Sequence, residues 1–467
     1  MKHLRFLIPL ALISLFIFLR FYNIKDSLFF FNDVGRDLLV LQNWQLSGKP
    51  PLLGPQTSVI PFNQSSIYFY YLYIFYIITN GSVFSALFAN AFLYIAMYIF
   101  GLIVFKKDKK ITTILNISFF LISIHPQYIA QSRFVWNPSL VTPFIMSSFF
   151  SFYLLTQKYS KIRLWIFSLS IAAAISLSYS VIPLFIAIFI YWLIFYQKYF
   201  FKIFFSIFTS FLFLNITTVF FELRHNFLLT KSLLFKSASP QSGISINEKF
   251  NDIAKFVIDL PSQNINQYVL LIFVFLSIIL ITRQFKNKNI TLFTSFIFLL
   301  TFLTYFILPV SAQAHYVFPI ICLLFILITS QPIIRSIIIV FLLSLLYLTP
   351  ANLNSYFQKA PRTYSQMEQC FKEYCQKNPE PINVSVSSSY HPYHNGPEHR
   401  YLLKKSGCNV QVLEDGQKAK TMALVLDNNT FDPEKSNFYE LSLFGPYQTR
   451  DTFNCLPNFQ ILNLINK

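Results

Sequence analysis

The chain has 467 residues, of which 54% are hydrophobic, 12% are charged and 57 are Phe. Soluble domains carry about 25% charged residues, so this composition excludes an ordinary soluble fold for most of the chain and indicates that lipid is its solvent. The net charge of +18 does not indicate nucleic-acid binding, because residues 1–350 hold 25 Lys/Arg against 8 Asp/Glu, whereas residues 351–467 hold 12 against 11. The excess lies in the apolar part, where basic loops set membrane topology.

Eleven apolar runs predict membrane spans, although several are shorter than the ~20 residues of a straight span. They lie near residues 7–22, 83–105, 111–129, 139–157, 164–180, 181–196, 202–221, 268–282, 290–308, 317–330 and 333–349. No small-residue cleavage site follows the first run, so we predict that it is an uncleaved span. The stretch 163–196 is compatible with two short spans or one long one. Residues 67–79 are apolar but short, and we interpret them as an interfacial or re-entrant piece.

Short basic clusters predict which loops face the cytoplasm. These clusters are Lys106–Lys110, Lys158–Arg163, Lys198–Lys202, Arg283–Lys288 and Arg335. Placing them and the N-terminus inside puts the C-terminal region and four segments outside: the long loops 23–82 and 222–267 and the turns 130–138 and 309–316. Seven of the eight acidic residues before residue 351 lie in those two outer loops. The sequence therefore predicts a multi-pass plasma-membrane protein with a cytoplasmic N-terminus and an extracytoplasmic C-terminal domain.

The predicted fold is an all-α polytopic membrane domain, residues 1–350, followed by a small extracytoplasmic α/β domain, residues 351–467. Four segments of the second domain have strand-like patterns. They are Ile382–Ser389, Met422–Asp427, Tyr439–Phe444 and Phe459–Leu464. Arg400–Lys405 reads as a short helix, because Ser406-Gly407 provides a glycine stop.

Four of the five cysteines lie in the predicted C-terminal domain: Cys370, Cys375, Cys408 and Cys455. An even number in an extracytoplasmic domain predicts disulfides, with three possible connectivities. Four buried free thiols are the alternative. A zinc site is the weaker interpretation, because only one pair of these cysteines is close in sequence.

The first outer loop contains the most informative polar segment. Asn32 or Asp33 fits a helix N-cap, and Ser47-Gly48 fits a helix stop. A helix between them places Asp33 and Asp37 one turn apart, where like charges destabilise the helix by about 0.2–0.5 kcal/mol. Arg36 precedes Asp37 and offsets part of this repulsion. Two interpretations stay open: carboxylates directed into a site at the membrane surface, or an N-cap beside a solvated surface charge.

Two further outer segments carry cations. In a predicted turn between two spans, Arg133 lies away from the positive-inside face and Asn137 precedes a proline. The alternative for Arg133 is a side chain that snorkels to the membrane surface beside an aromatic anchor. Glu222, Arg224 and His225 form a dense polar group at the outer end of a span. That group suits either the binding of a phosphate or sugar, or a plain cluster of helix-terminal charges.

The last polar segment is the pair His315 and Tyr316, which precedes Pro319. A lone His in this position also fits a hydrogen-bonded structural residue. No P-loop, His-Glu-x-x-His pattern or Gly-x-Ser-x-Gly elbow occurs, and the spacing of Asp33 and Asp37 is weak evidence for a metal. The sequence therefore predicts no cofactor and no defined metal site, with a divalent metal left open.

Taken in chain order, these segments resemble the GT-C membrane glycosyltransferases, in particular the protein O-mannosyltransferase and aminoarabinose lipid A transferase group. The likeness begins after the first span with Asp33-Val34-Gly35-Arg36, followed by Ser47-Gly48 and Pro50-Pro51. It continues with Asn137-Pro138 at the outer end of a later span and with His-Tyr-x-x-Pro at residues 315–319. A multispan core followed by an outer C-terminal domain is also the layout of this family.

The chain departs from the family pattern at three places. Val34 stands where a Glu usually follows the first Asp, and Asn137 stands where an acidic residue often precedes the proline. Asn63–Ser66 replaces an acidic and basic pair near the end of the first outer loop. The resemblance therefore transfers a role to Asp33 more strongly than to any other residue.

The resemblance implies transfer of one sugar from a polyprenyl-phosphate donor to a lipid, glycan or protein acceptor at the outer face, with inversion in a single displacement. A carboxylate would act as general base on the acceptor hydroxyl, and cations would stabilise the departing phosphate. Asp33 is the predicted base, and Asp37 is the second predicted catalytic carboxylate. The predicted substrate-binding residues are Arg36, Arg133, Asn137, Glu222, Arg224, His225, His315 and Tyr316. Among these, the cationic candidates for the phosphate are Arg224, Arg133 and His315.

Two other classes of function compete with a transferase. A transporter or lipid flippase for cell-envelope glycans predicts ionisable residues in mid-span beside broken helices. A structural protein of polymer assembly is the third class. The ionisable residues of this sequence gather at the outer ends of the spans instead, which favours surface chemistry on a lipid-borne substrate. Bound polyprenyl phosphate in the purified protein would separate the first class from the other two.

We predict that alkaline phosphatase fused after Lys467 is active, because the spacing of the basic loops places the C-terminus outside the cytoplasm. The matched control is the same fusion within the predicted inner cluster Lys106–Lys110, which should be inactive. The measurement is phosphatase activity in intact cells, normalised to the amount of fusion protein. An inactive C-terminal fusion together with a fluorescent cytoplasmic reporter at the same position would contradict the predicted topology.

Overall fold

The computed structural model describes residues 4–28, 30–57, 62–235, 245–284, 289–308, 312–390, 392–412, 419–431 and 438–467. The predicted basic cluster at 283–288, the predicted loop 222–267 and the predicted turn at 309–316 thus lie partly outside the described residues. The chain forms two compact units. The first comprises Met1–Tyr22, Pro50–Phe75 and Phe84–Tyr356, and the second comprises Asn23–Lys49, Tyr76–Val83 and Phe357–Lys467. The domain boundary between residues 350 and 351 stays a prediction.

Apolar helices make up most of the first 357 residues. In chain order the helices are α1 (Leu4–Phe21), α2 (Ile24–Ser27), α3 (Asn32–Ser47), α4 (Ile67–Ile78), α5 (Ser85–Val104), α6 (Lys109–Ile124), α7 (Pro126–Arg133), α8 (Val141–Gln157), α9 (Lys161–Leu177), α10 (Ile182–Phe195), α11 (Phe200–Leu214), α12 (Ile216–Arg224), α13 (Leu228–Phe235), α14 (Ile246–Ile258), α15 (Gln263–Gln284), α16 (Ile290–Ile307), α17 (Phe318–Thr329), α18 (Ile333–Tyr347) and α19 (Pro350–Phe357). Their positions match the predicted apolar runs, and the stretch 163–196 forms two helices.

The helices long and apolar enough to cross a membrane support a multi-pass membrane protein. The four that qualify singly are Ser85–Val104, Asn137–Gln157, Gln263–Arg283 and Ile290–Ile307. Within the described residues the number rises to 7 if each of three bent helix pairs is one span. The shorter apolar helices are Phe6–Phe21, Ile67–Ile78, Tyr179–Phe195 and Phe318–Thr329. The prediction of eleven spans is therefore not confirmed, and whether α4 crosses the membrane stays open.

Two runs predicted as continuous spans, 111–129 and 202–221, are interrupted instead, and a third bend lies at the end of the predicted span 333–349. The bends are 66° between α6 and α7, 69° between α11 and α12, and 55° between α18 and α19. The helices after the first and third bends begin with Pro126 and Pro350, which lack the amide hydrogen that would continue the preceding helix. The second bend falls at Asn215, whose side chain donates both to the Phe211 carbonyl at 2.8 Å and to Ser176.

Arg20 satisfies the end of α6 at the first bend. Its side chain is fully buried, and its guanidinium donates to the carbonyl oxygen of Ile122 at 3.0 Å and to that of Ser123. The same group lies 4.1 Å from the centroid of the Phe16 ring. A positive charge at a helix C-terminus is favourable because the exposed carbonyls carry partial negative charge. Arg20 therefore joins α1 to the interrupted helix.

The second unit contains a four-stranded sheet of order β1–β2–β4–β3. The strands are β1 (Ile382–Ser388), β2 (Thr421–Asp427), β3 (Tyr447–Leu456) and β4 (Phe459–Asn466), and the helices after residue 357 are α20 (Tyr364–Lys377), α21 (Pro397–Lys405) and α22 (Tyr439–Phe444). Strands β1 and β2 are parallel, whereas β4 is antiparallel to both β2 and β3. Leu441 and Phe444 of α22 join the apolar cluster on one face. On the opposite face, Phe371 of α20 packs against Phe459 with ring centroids 5.8 Å apart.

The predicted small α/β domain has one wrong strand and one missing strand. Tyr439–Phe444 was predicted to be a strand, but it forms α22, because Leu441 and Phe444 lie one turn apart on the buried face and Gly445, at φ 91°, ends the helix. Alternating apolar residues over six positions do not distinguish the two structures. Strand β3 was not predicted, because its side chains are largely exposed and polar. The other three predicted strands and the helix ending at Lys405 are confirmed.

The four cysteines of the second unit form two disulfides, Cys370–Cys455 and Cys375–Cys408. This confirms the disulfide interpretation and selects one of the three connectivities. The first bond ties α20 to β3, and the second ties α20 to the segment after α21. Both bonds constrain a small domain whose unfolded chain would otherwise have much more freedom.

We predict that Arg20→Leu lowers the stability of the protein by about 1–3 kcal/mol, because two buried carbonyl groups lose their donor. The measurement is the thermal unfolding midpoint of the purified protein in detergent. Arg335→Leu is the matched control, since Arg335 is exposed on α18 and its replacement should leave the midpoint within experimental error. Equal midpoints for the two variants would contradict the role assigned to Arg20.

Candidate functional site

The predicted helix after the first span is α3, with one correction at its N-terminus. The N-cap is Phe31, which has extended backbone and makes no side-chain cap. The prediction that Asn32 or Asp33 caps the helix is therefore wrong. Asp33 instead occupies the first turn, where a carboxylate interacts favourably with the helix dipole. The predicted stop is confirmed, because α3 ends at Ser47 and Gly48 adopts φ 68°.

Arg36 bridges the two acidic residues of α3. Its Nη1 donates to Oδ1 of Asp33 at 2.7 Å, and its Nε and Nη2 donate to Oδ1 of Asp37 at 2.9 and 2.8 Å. The positive charge of Arg36 offsets the repulsion expected between two carboxylates one helical turn apart. The three side chains therefore form one charged group, which we call the α3 triad, with one net negative charge.

The members of the α3 triad differ in exposure. The side chain of Asp37 is 2% exposed and that of Asp33 is 29% exposed, while that of Arg36 is 36% exposed. A buried carboxylate that accepts two charge-assisted hydrogen bonds fixes the orientation of its partner. Asp37 therefore holds Arg36, and Asp33 is the carboxylate that a ligand can reach.

Gly35 allows the close approach of α3 and α21 within the second unit. A Cβ atom built at Gly35 would lie 2.3 Å from Cα of Glu398, which is in the first turn of α21. Only a residue without a side chain fits at that distance. The glycine that resembled part of a family motif thus has a packing role, and it sets the position of the triad residues on either side of it.

Arg133 caps the first membrane helix of the first unit. Its Nη1 donates to the carbonyl oxygens of Arg20 at 3.1 Å and Tyr22 at 3.2 Å, at the C-terminal end of α1. The Nη1 group of Arg133 is therefore occupied by backbone oxygens. This arrangement fits the structural alternative for Arg133 more closely than a fully available phosphate ligand.

Asn137 also has a structural set of partners. It is buried, and its side-chain amide donates to the carbonyl oxygen of Leu177 at 2.8 Å and to Oε1 of Gln64. Leu177 is the last residue of α9, so Asn137 satisfies another helix end. The amide that replaces the family's acidic residue has a hydrogen-bonding role that does not require a charge.

Trp136 connects the turn after α7 to the segment before α17. Its indole ring meets the His315 ring edge-on at a centroid distance of 4.3 Å, and the Tyr316 ring meets His315 at 4.2 Å. Burial between these rings lowers the pKa of His315 to about 3, so its imidazole is neutral at physiological pH. His315 can therefore accept or donate a hydrogen bond, but it does not supply positive charge.

Glu222 caps a helix rather than facing open space. Its Oε1 accepts from the backbone amide of Leu229 at 2.8 Å, and its Oε2 accepts from the amide and hydroxyl of Thr230 at 2.9 and 2.5 Å. Both residues lie in the first turn of α13. The carboxylate satisfies amides that have no partner within the helix.

Arg224 and His225 lie at the end of α12 with exposed side chains. The His225 Nδ1 donates to the Phe221 carbonyl at 2.9 Å and its ring stacks on Phe221, with centroids 4.1 Å apart. The next residues, Asn226 and Phe227, adopt φ values of 54° and 59°. A bulky residue in this left-handed region stores strain of order 1–3 kcal/mol. The Phe227 amide donates to the backbone carbonyl of Glu222 at 2.8 Å and closes this turn, and Arg224 lies just before it with its side chain exposed.

Ser65 and Ser66, for which no role was predicted, bond to the end of α11 and the start of α12. The Ser65 hydroxyl donates to the carbonyl of Leu214, the last residue of α11, at 2.7 Å, and Ser66 bonds to Thr217 at 2.6 Å. Four consecutive polar residues, Asn63–Ser66, before an apolar helix were the available signal. The sequence does not predict a role for these side chains, because it does not show which backbone carbonyls they will meet.

The structure thus divides the predicted residues into three groups. Those brought together in the second unit are Asp33, Arg36 and Asp37, and those that meet near Trp136 in the first unit are Arg133, Asn137, His315 and Tyr316. A third group, Glu222, Arg224 and His225, surrounds the strained turn. Among the described residues, no three His, Cys, Asp or Glu side chains form a group that could hold a metal ion.

We predict that Gly35→Ala destabilises the protein by about 1–3 kcal/mol, because the new methyl group overlaps the backbone of α21. Gly48→Asn is the matched control at the other end of α3. A Cβ at Gly48 has open space around it, and Asn tolerates the left-handed conformation. Thermal unfolding of the purified variants is the measurement. A Gly35→Ala midpoint equal to that of the control would show that the two helices separate without cost.

Comparison with solved structures identifies the fold. Crystal structures of ArnT from Cupriavidus metallidurans align along nearly the whole chain. The form bound to undecaprenyl phosphate gives a TM-score of 0.65 at 9% identity over 99% of this chain and 98% of that chain. The apo form gives 0.63 at 8% identity over 97% of each. No protein-family model and no curated protein matches the sequence. The chain therefore has the fold of ArnT, an aminoarabinose lipid A transferase of the GT-C class, and the resemblance indicated by the sequence motifs is confirmed for the fold.

Proposed function

We propose that this protein is a membrane glycosyltransferase, which moves a sugar from a polyprenyl-phosphate donor to a lipid, glycan or protein acceptor at the outer face of the membrane. The observation that carries the proposal is the α3 triad, an oriented and partly exposed carboxylate in a chain with the ArnT fold. The ArnT structure with bound undecaprenyl phosphate supports a polyprenyl phosphate as the lipid part of the donor. The proposal requires no cofactor.

Asp33 is the proposed general base. Its Oδ1 accepts from Arg36, so the carboxylate is held in one orientation while Oδ2 is available to a substrate hydroxyl. In the proposed step the acceptor O–H bond breaks and its proton moves to Asp33. The acceptor oxygen forms a bond to the anomeric carbon, and the bond between that carbon and the phosphate oxygen breaks. The bonding electrons leave with the lipid phosphate, and the configuration at the anomeric carbon inverts.

Asp37 and Arg36 are proposed to position the base. Asp37 is buried and holds two nitrogen atoms of Arg36, so Arg36 has little freedom to move away from Asp33. A catalytic group held in a productive orientation avoids an entropic cost at the moment of reaction. This division of roles assigns proton transfer to Asp33 alone among the two predicted catalytic carboxylates.

Arg224 is the proposed partner of the donor phosphate. Its side chain is exposed just before the strained turn. In contrast, Arg133 bonds backbone carbonyls and His315 is neutral. A guanidinium suits phosphate because it donates two parallel charge-assisted hydrogen bonds. His225 lies beside it on the same turn. Glu222, Asn137 and Tyr316 are then proposed to shape the substrate site through the helix ends and rings that they fix.

We expect Asp33→Asn to reduce turnover of a polyprenyl-phosphate sugar by more than 100-fold, since general-base catalysis contributes about 10²–10⁴-fold. Donor affinity should stay unchanged, because the amide keeps the size of the carboxylate and only transition-state stabilisation is lost. Turnover and donor binding are measured on the purified protein in lipid nanodiscs. Asp26→Asn is the matched control on the neighbouring helix α2. Full activity of Asp33→Asn would rule out the proposed base.

We expect Arg224→Ala to weaken donor binding by about 10–100-fold, because a charge-assisted hydrogen bond to phosphate contributes roughly 1.5–3 kcal/mol in the ground state. The probe is undecaprenyl phosphate alone, so that binding is measured without turnover. Lys231→Ala removes another exposed cation from the same outer segment and should change binding by less than twofold. Equal losses in the two variants would indicate a general attraction of anionic lipid and would contradict a specific site at Arg224.

A further inference from the structure

Two loops meet at one edge of the sheet in the second unit, where the parallel strands β1 and β2 both end. Ser388 and Asp427 are the last residues of these strands and they pair directly. The chain therefore leaves both strands at the same level, and the residues that follow the two strands, Ser389 and Asn428, are in hydrogen-bond contact. In open α/β sheets this edge, beyond the carboxyl ends of parallel strands, is where ligands bind.

A buried ion pair stabilises the end of β2 at this edge. Arg362 donates through Nε to Oδ1 of Asp427 at 2.7 Å and through Nη2 to Oδ2. Both side chains are about 5% exposed or less, so the end of β2 is held rigidly. The same guanidinium lies 5.8 Å from the centroid of the Tyr390 ring. The loop after β1 is thereby anchored to the same pair.

Amide and hydroxyl groups form a continuous row across the edge. The Asn428 amide donates to the Ser389 hydroxyl at 3.0 Å, and the Asn429 amide donates to the Ser387 hydroxyl at 3.0 Å. Each serine keeps its own hydroxyl proton to donate. Asn428 adopts φ 51°, a conformation that turns the chain sharply at the strand end. The row thus offers fixed donors and acceptors at neighbouring positions.

Two aromatic rings lie in the segment that follows β1 and returns alongside it at Val386. Tyr393 is 54% exposed. The His394 ring stacks on Phe438 with centroids 3.6 Å apart, and its Nδ1 bonds to the Val386 carbonyl at 2.8 Å. Because a carbonyl only accepts, Nδ1 carries the proton and Nε2 is an acceptor in the neutral ring. The edge therefore combines an exposed ring with an oriented acceptor.

The charge of the edge identifies the class of ligand. Residues 387–390, 392–395 and 428–430 contain no Asp, Glu, Lys or Arg. Apart from the buried Arg362–Asp427 pair, whose charges compensate each other, these described residues offer no counter-ion to a phosphate or a charged peptide. A neutral sugar is bound by amides and hydroxyls, which form hydrogen bonds to its vicinal hydroxyl groups, and by an aromatic ring, which packs against the apolar face of the pyranose. The edge has both kinds of group.

We propose that this edge of the β1–β2 pair binds a neutral carbohydrate, and that this carbohydrate is part of the acceptor. The second statement rests on the proposed transferase function, whereas the first does not. The acceptor class would then be a glycan, or a lipid or protein that already carries one. The row of Ser389, Asn428 and Asn429 recognises the hydroxyl groups, and Tyr393 packs on the ring.

The test uses the full chain in lipid nanodiscs, without donor. An array of neutral bacterial cell-envelope oligosaccharides selects the probe, and saturation-transfer NMR and titration then measure its affinity. Tyr393→Ala and Asn429→Ala should each weaken binding by about tenfold, equivalent to ~1.4 kcal/mol. Tyr393→Phe should retain most of the affinity because it keeps the ring. Tyr439→Ala, which removes another exposed tyrosine of the same unit, should bind as the parent does.

Equal affinity of Tyr393→Ala and Tyr439→Ala would overturn the proposal, and so would failure of the folded protein to retain any neutral oligosaccharide. Thermal unfolding checks that each variant is folded. The outcome is separable from the proposed function, because binding is measured without turnover. Oligosaccharide binding in a protein without transferase activity would contradict the function alone. Transferase activity without oligosaccharide binding would contradict this site alone.

Discussion

Backbone carbonyls freed at helix ends must find hydrogen-bond donors where the surroundings are apolar, and this constraint accounts for the positions of four polar side chains of the first unit. A carbonyl left unsatisfied in such an environment costs several kcal/mol. Arg20 serves the end of α6, Arg133 the end of α1, Ser65 the end of α11 and Asn137 the end of α9. The bends after α6 and α11, like the ends of α1 and α9, are therefore built features with their own donors.

The same constraint separates residues whose hydrogen bonds are committed to helix ends from residues of the same type that are accessible. Arg133 and Arg224 both lie in segments predicted to be outside, yet the first bonds two carbonyls while the second is exposed just before a strained turn. Glu222 and Asp33 are both carboxylates of predicted outer segments. Glu222 uses both oxygens on the first turn of α13, whereas Asp33 uses one oxygen on Arg36. Exposure and free hydrogen-bonding capacity, rather than residue type, single out Asp33 and Arg224.

The second unit shows how a small α/β scaffold can hold a charged helix in a fixed position. Gly35 lets α3 lie against α21, and the position of Asp33 and Arg36 follows from that contact. Two disulfides and a buried Arg362–Asp427 pair stiffen the surrounding sheet. The unit therefore presents both the α3 triad and the neutral edge of the β1–β2 pair on rigid elements, which is what precise placement of reacting groups requires.

The sequence by itself determined the membrane character, the positions of the apolar helices, three of the four strands and the presence of a helix that carries Asp33 and Asp37. Those features follow from composition and local periodicity, which are read along the chain. It did not determine the bends, the helix formed by Tyr439–Phe444 or the pairing of the cysteines. It also did not reveal that Asp37 is buried while Asp33 is exposed. Only the tertiary structure decided these points, because burial and the partner of a freed carbonyl depend on residues distant in sequence.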